Sequence, residues 1–260
     1  MTEKCGICPI SCSKYSFCGA IELKANPLRR VYNSVKIKVC NIERLGFYHY
    51  KPGSRTLGVV TSGCNLSCSI CPEYKTVFGW GRRIAPEELA SRISDEADRA
   101  DVGSICFYCN SILDLDVLRN LSKHSGYTLL AITHGFAEEE HVRRMLEVLD
   151  GVLVRFFGFS EEEYSRVGPI PNAYEYALRF LRDAYKAGVH VEAEYFLIVG
   201  ISSIESFRSL INSICSISRS IPLHIRRFRP AFLQRERAPT PTEILQEYLR
   251  EGRKTLSYVY

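Results

Sequence analysis

From residue 55 onward the chain alternates short runs of β-branched and aromatic residues with longer amphipathic stretches, the pattern of repeated βα units. The apolar runs predict strands at 57–61, 104–108, 128–133, 152–157, 189–199 and 223–228. Between and after them, apolar positions recur at three- and four-residue spacing and predict helices at about 86–99, 115–122, 138–149, 173–187, 204–218 and 242–256. Local signals agree. Pro86 stands at a first helical position with Glu87 and Glu88 facing the helix dipole, and Gly188 follows the fourth helix as a cap. Six consecutive units imply a parallel sheet with right-handed crossovers, either an open doubly wound sheet or a partial barrel. In both, ligands sit beyond the carboxyl ends of the strands.

Upstream of this region the pattern changes. Residues 21–54 read as a connector packed on the main domain, with an apolar alternation over 35–39 and a turn at Lys51, Pro52 and Gly53. Residues 1–20 have little apolar periodicity but hold Cys5, Cys8, Cys12 and Cys18 in a C-x2-C-x3-C-x5-C spacing. Four thiolates at such spacing form a small metal-held knot around either zinc or a second iron–sulfur cluster. The expected organisation is a Cys-rich metal-binding knot at 1–20, the connector at 21–54 and an α/β barrel domain at 55–260.

Composition narrows the classes of function. The chain has 260 residues, 46% hydrophobic and 24% charged, with no apolar stretch approaching the length of about 18 that a membrane span needs. It has ample length for a core of its own. Net charge is +5, from 34 Lys and Arg against 29 Asp and Glu, far from the dense basic face of a dedicated nucleic-acid binder. Nucleic acid is therefore not the favoured partner, and no membrane is expected. The start, MTEKCGICPI, lacks a basic region followed by an apolar run, so a cytoplasmic location is expected. Eleven cysteines, clustered in such a chain, point to metal ligands or redox groups rather than a disulfide framework.

The most informative cluster follows the first barrel strand directly: Ser62-Gly63-Cys64-Asn65-Leu66-Ser67-Cys68-Ser69-Ile70-Cys71-Pro72, a C-x3-C-x2-C loop. Three thiolates can hold three irons of a cubane and leave the fourth iron open to a small chelating molecule. The other reading is a zinc loop with a distant fourth ligand, since no His or Cys follows within thirty residues. Location at the catalytic end of the first strand favours the cluster.

This loop resembles the signature of radical S-adenosylmethionine enzymes, whose fold is a partial (β/α)6 TIM-like barrel. The segments at 5–19 (CGICPISCSKYSFCG), 47–55 (FYHYKPGSR), 159–164 (FSEEEY), 190–200 and 221–242 are similar to the AmmeMemoRadiSam family, related to pyruvate formate-lyase activating enzymes. The resemblance implies a 4Fe-4S cluster on Cys64, Cys68 and Cys71. It also implies S-adenosylmethionine chelated by the open iron and cleaved reductively to a 5'-deoxyadenosyl radical, which abstracts hydrogen from an unidentified small-molecule or protein substrate. Formation of a glycyl radical on a partner is one such reaction. An electron donor such as ferredoxin or flavodoxin is implied as well. The family pattern continues past the final Tyr258-Val259-Tyr260, so a C-terminal strap is expected to be missing.

Other positions carry over one at a time. Ile70 stands at a usually aromatic position near the adenine, and Tyr74 where relatives often carry an aromatic, although packing is an equal reading for it. Relatives read Y-N-E-P-T after the second strand; here Cys109-Asn110-Ser111-Ile112 keeps Asn110 as a cofactor contact and lacks the acid and the proline. Thr133-His134-Gly135 resembles the family's T-N-G, which places Thr133 at the cofactor and His134 in a catalytic or structural role. Where relatives carry Asp-x-Lys on the fourth strand, this chain has Arg155-Phe156-Phe157, which alters either substrate or cofactor pose. Glu192 and Glu194 lie two apart, on one strand face, and require cationic company from a sulfonium, an amine, Arg155, or Arg226 and Arg227. His224 is similar to a family His that approaches the cofactor ribose, and the arginines after it suit an anionic substrate. Cys106 and Cys109, of opposite parity, are expected on opposite strand faces, Cys106 buried as a small hydrophobe and Cys109 able to face the site, with Cys40 and Cys215 as packing residues. Two other readings stay open: a degenerate barrel that binds metal and ligand without radical chemistry, and a redox protein cycling a Cys68–Cys71 disulfide.

Overall fold

The structure is a computed structural model and describes residues 5–12, 18, 21–22, 29–109, 113–123, 126–168 and 170–260. Near the start, Ile21–Glu22 (β1) pairs antiparallel with Arg29–Arg30 (β2). The main sheet contains β3 (Val35–Asn41), β4 (Arg55–Thr61), β5 (Ser104–Phe107), β6 (Thr128–Thr133), β7 (Gly151–Phe156), β8 (His190–Leu197) and β9 (Leu223–Arg227). Their spatial order is their chain order. β3 runs antiparallel to β4, and every later pair is parallel. A doubly wound sheet reverses direction at a switch point, whereas a barrel adds each strand on the same side. The unbroken order settles the choice, and the fold is a partial (β/α)6 TIM-like barrel with β3 on its first edge.

Helices follow the strands as their periodicity predicts: α2 (Pro86–Ala100), α3 (Leu115–Ser122), α4 (Glu139–Leu146), α6 (Ala173–Lys186), α7 (Ile204–Ile217) and α8 (Thr242–Gly252). Two single-turn helices, α1 (Tyr74–Val77) and α5 (Glu161–Ser165), lie in loops and are too short to show a period. Caps fix several starts. The Asp114 carboxylate accepts from the N–H groups of Asp116 and Val117 at 2.8 and 3.2 Å, and the Ser203 hydroxyl accepts from Ser206 at 3.1 Å.

Strand alternation sorts the core into layers. Val152, Val154 and Phe156 of β7, with Val191, Ala193, Tyr195 and Leu197 of β8, face outward and pack on the helices through Ile93, Phe180 and Phe207. Inside the barrel, Cys106, Leu130, Ile132 and Leu153 meet Ile42, Leu45 and Phe47 from the segment between β3 and β4. That segment plugs the amino-terminal mouth. It comes close because Gly46, at φ +121, has no Cβ; one built there would stand 2.9 Å from both the Leu153 side chain and the Arg226 guanidinium.

Glu192 holds the plug. Its fully buried carboxylate accepts the backbone N–H groups of Tyr48, His49 and Tyr50 at 3.0 to 3.1 Å, with His190 Nε2 at 2.9 Å and His224 Nε2 at 2.5 Å. Burial disfavours the charged form, but the bonds from the two histidines and the backbone outweigh it and hold the carboxyl well below its usual range. The end of the chain closes the same corner. Val259 pairs parallel with Leu223 on the outer edge of β9, and Tyr260 stacks on His224 and bonds His49 at 2.9 Å. Residues 258–260 thus cover the outer edge of β9.

Glu192→Ala is expected to cost about 3–5 kcal/mol of unfolding free energy at neutral pH, because it strands several buried donors. The native carboxyl ionises more readily than the unfolded one, so its contribution is complete above the ordinary value of about 4.3 and declines as pH falls below it. Anaerobic chemical denaturation of the wild type and variant from neutral pH down to about 3 checks this. A gap that does not narrow in acid would contradict it.

Candidate active site

The C-x3-C-x2-C loop leaves β4 at the carboxyl end of the barrel and is wired to its surroundings on every side. Gly63 donates to the Val77 carbonyl at 2.9 Å, and the Asn65 amide donates to the Phe136 carbonyl at 2.7 Å. Ser69 binds the Val167 carbonyl through both its N–H (2.7 Å) and its hydroxyl (2.8 Å), while its own carbonyl accepts from Leu233 N–H at 3.0 Å. Gly168 makes the approach feasible, since a Cβ there would stand 2.7 Å from the Leu66 carbonyl oxygen.

This wiring turns Cys64, Cys68 and Cys71 into one cavity. Much of the rest of its lining is apolar, from Ile70 and Phe78 on the loop side to Ile132, Phe157 and Phe196 on the barrel side. Burial pushes the Cys68 and Cys71 thiols up, and each is raised further by neighbouring cysteines, Cys64 among them. Cys68 and Cys71, whose thiols resist ionisation, form with Cys64 a donor set for a cationic centre, which would stabilise their thiolates. Among the described residues no three His, Cys, Asp or Glu side chains form a ready-made site for a metal ion; the cysteines are spread over a cavity wall. The donor set and the cavity fit a cluster held by three cysteines.

Two predicted catalytic residues reach the same cavity. His134, 7% exposed, lies 4.3 Å between ring centroids from Phe157, and its Nδ1 is buried with no hydrogen-bond partner. Burial and then the Arg155 charge lower its pKa to about 3 against one opposing hydrogen bond to the Arg155 backbone, so the ring is a neutral imidazole. Arg155 donates from Nε to Glu194 Oε2 at 2.6 Å and from Nη1 to Cys109 Sγ at 3.5 Å. Glu194 also accepts from Arg226 Nε. The buried carboxylate therefore sits between two guanidinium groups, and despite its burial their charges keep its pKa low. Of the partners considered for Glu194 from sequence, Arg155 and Arg226 supply the cations, while Arg227 turns to the Thr240 carbonyl at 2.8 Å.

Other predicted site residues lie elsewhere. Glu192 and His224 occur in the plug at the opposite end of the barrel, which corrects the catalytic and ribose-binding expectations for them: parity fixes a residue's face but not its depth along the strand. Thr133 caps its own turn by accepting from Gly135 N–H at 3.0 Å. Tyr74 stacks on Phe232 at 4.7 Å, its packing reading, while Ile70 does line the cavity. Asn110 lies outside the described residues. Cys109 corrects the opposite-face expectation. β5 ends at Phe107, and Cys109 adopts left-handed backbone at φ +62, so its thiol turns into the cavity on the same barrel-interior side as Cys106. Phe196 was missed altogether, although its parity with Glu194 marks it as inward-facing.

At the amino terminus, Cys5 N–H donates to the Cys12 carbonyl at 2.8 Å. Burial raises the Cys5 thiol, and the charges of Cys18, Cys8 and Cys12 add to it, so these three lie within electrostatic reach of Cys5. Cys8 is buried beside the cluster loop, in one apolar group with Cys64, Leu66 and Ile70.

Fold and cavity together define an α/β barrel protein with a thiol-lined site above the carboxyl ends of its strands. The family model of the radical SAM superfamily matches residues 59–214, and the chain belongs to that superfamily. Its members use a 4Fe-4S cluster and S-adenosylmethionine. The chain is 24% identical to uncharacterized protein MJ0808 of Methanocaldococcus jannaschii, over 99% of this chain and 80% of that protein. Among solved structures it is similar to TYW1 with a lysine-pyruvate adduct bound, at TM-score 0.57 and 12% identity over 86% of this chain and 85% of that one. It is also similar to Streptococcus suis SuiB bound to precursor peptide SuiA, at TM-score 0.54 and 9% identity over 75% of this chain and 46% of that one. Among the described residues no helix is long and apolar enough to cross a membrane.

The buried ion triad yields a stability test. Glu194→Leu leaves Arg155 buried without its anion and is expected to cost about 3–5 kcal/mol. Adding Arg155→Met removes the stranded charge, and Arg226, whose side chain is 36% exposed, can turn to water, so the double variant should recover most of that loss. Denaturant midpoints of the three proteins check this; a double variant no more stable than Glu194→Leu would contradict it.

Proposed function

We propose that the protein is a radical S-adenosylmethionine enzyme whose catalytic cluster is held by Cys64, Cys68 and Cys71. The observation that carries the reading is the convergence of these three thiols on one apolar-walled cavity at the carboxyl end of β4. When bound, the cluster and S-adenosylmethionine supply a 5'-deoxyadenosyl radical able to abstract hydrogen from a substrate. The chain's own residues position and protect that chemistry. Ile70, Ile132, Phe157 and Phe196 exclude water from the cavity, and removing water protects a reactive species from side reactions. Neutral His134 offers Nδ1 as a hydrogen-bond acceptor for an amino or hydroxyl group. Arg155, fixed by Glu194, presents a permanent positive charge to a carboxylate.

The substrate enters over a rim of mixed character. Trp80 (92% exposed) follows Phe78 of the cavity wall, and Leu233 (72% exposed) is tied to the cluster loop through Ser69. Arg229 and Arg235 are exposed on the same loop as Leu233. This rim supports a small-molecule or protein substrate that combines an apolar group with an anionic one. The Cys5, Cys8, Cys12 and Cys18 segment holds a second metal, zinc or iron–sulfur, beside the cluster loop; the turn that brings Cys5 N–H to the Cys12 carbonyl and the packing of Cys8 against Cys64 and Leu66 support it.

Anaerobic reconstitution followed by dithionite and S-adenosylmethionine is expected to yield 5'-deoxyadenosine, with the product lost when Cys64, Cys68 or Cys71 is replaced by Ala. A loaded cluster without cleavage would refute catalysis and favour a ligand-binding barrel. Metal analysis separates the second site: replacing Cys5, Cys8, Cys12 and Cys18 together should remove one zinc, or one cluster's iron, and leave the first cluster in place. Unchanged total metal would refute the second site.

A further inference from the structure

The cavity contains a fourth cysteine that the three-cysteine motif does not use. Cys109 follows the end of β5, and its left-handed backbone turns the side chain away from the strand direction into the cavity that Cys64, Cys68 and Cys71 line. It belongs to the same packed group of side chains as Cys64, Cys68 and Cys71. Cys106, three residues earlier, shows the contrasting case, packed in the apolar plug with Leu130 and Leu153.

A second observation marks the same wall as a place for a ligand. Nδ1 of His134 is buried, partnerless and on the cavity, a neutral acceptor in want of a donor. Arg155 stands beside Cys109 with Nη1 3.5 Å from its sulfur and is held there by Glu194. The wall thus offers a thiol, a guanidinium beside it, and an acceptor for an N–H group.

We propose that Cys109 is a reversible fourth ligand of the cluster, binding the iron that Cys64, Cys68 and Cys71 leave open until S-adenosylmethionine displaces it. The proposal rests on the preceding reading that those three cysteines hold a cluster. The exchange transfers no electrons: the iron–sulfur bond to Cys109 breaks, bonds from iron to the incoming amino nitrogen and carboxylate oxygen form, and the proton that the cofactor's ammonium group sheds on binding passes to the released sulfur, leaving a Cys109 thiol that accepts from Arg155 Nη1. His134 Nδ1 then accepts from the bound amine. A fourth thiolate shields the cluster from loss of the exposed iron while the cofactor is absent.

The test uses full-length protein, reconstituted anaerobically, as wild type, Cys109→Ala, Cys109→Ser and Cys106→Ala. Each is oxidised with ferricyanide without S-adenosylmethionine, and the three-iron cluster is quantified by EPR together with iron per chain. Wild type and Cys106→Ala should retain four-iron clusters, whereas both Cys109 variants should give a several-fold larger three-iron signal and lose the corresponding iron. Calorimetry should also show tighter S-adenosylmethionine binding to the Cys109 variants, which have no internal competitor. Cys109→Ser, nearly isosteric, carries the comparison if the Ala variant does not fold. Equal three-iron yields and equal affinities across all four proteins would overturn the proposal while leaving the cluster assignment intact. A wild type that takes up no cluster would overturn both.

Discussion

The carboxylate of Glu194 is the interaction on which the reactive end of the barrel depends. It is completely buried, and an isolated charge there would be prohibitively costly. Arg155 and Arg226 make it tolerable, and in return it fixes both. Through Arg155 the arrangement reaches the Cys109 sulfur and the neighbourhood of His134; through Arg226 it reaches the Leu45 carbonyl of the plug at 3.5 Å. One carboxylate thereby joins the cavity at the top of the barrel to the segment that closes the bottom.

Two residues earlier on the same strand face, Glu192 performs a different task with the same chemistry. It gathers backbone N–H groups and two histidines and so converts an irregular segment into a stopper. The pair illustrates how depth along a barrel strand decides role: near the amino end a buried acid organises structure, and nearer the carboxyl end it organises a cavity. With the plug in place, the apolar interior is closed from below and chemistry is confined to the thiol-lined end.

Much of this was legible in the sequence because each barrel unit announces itself locally. β4, β6 and β7 are short, largely apolar runs that include Val, Ile or Thr, and α2 and α7 carry clear apolar faces, so six units could be counted and their carboxyl ends assigned. That Cys64, Cys68 and Cys71 share one site was legible from their spacing and their position after β4. What stayed hidden depends on contacts distant in sequence. The Glu192 bonds span more than 140 residues to Tyr48, His49 and Tyr50, and nothing near Glu192 or His224 reports that this loop will reach them. Cys109 does line the cavity, but the opposite-face argument from parity failed for a local reason, since parity applies only while a strand continues and β5 stops two residues before it. Residues 74–77 and 161–165 are single helical turns, below the length at which periodicity can speak.

The account's central claim is that three cysteines hold a cluster and leave a distinct iron for an exchangeable ligand. Mössbauer spectroscopy of protein loaded with isotopically enriched iron measures this directly, before and after addition of S-adenosylmethionine. The account predicts a four-iron cluster in which a single iron site changes its signal when the cofactor binds. Spectra that show no four-iron cluster, or a cluster whose irons are all unaffected by S-adenosylmethionine, would contradict it.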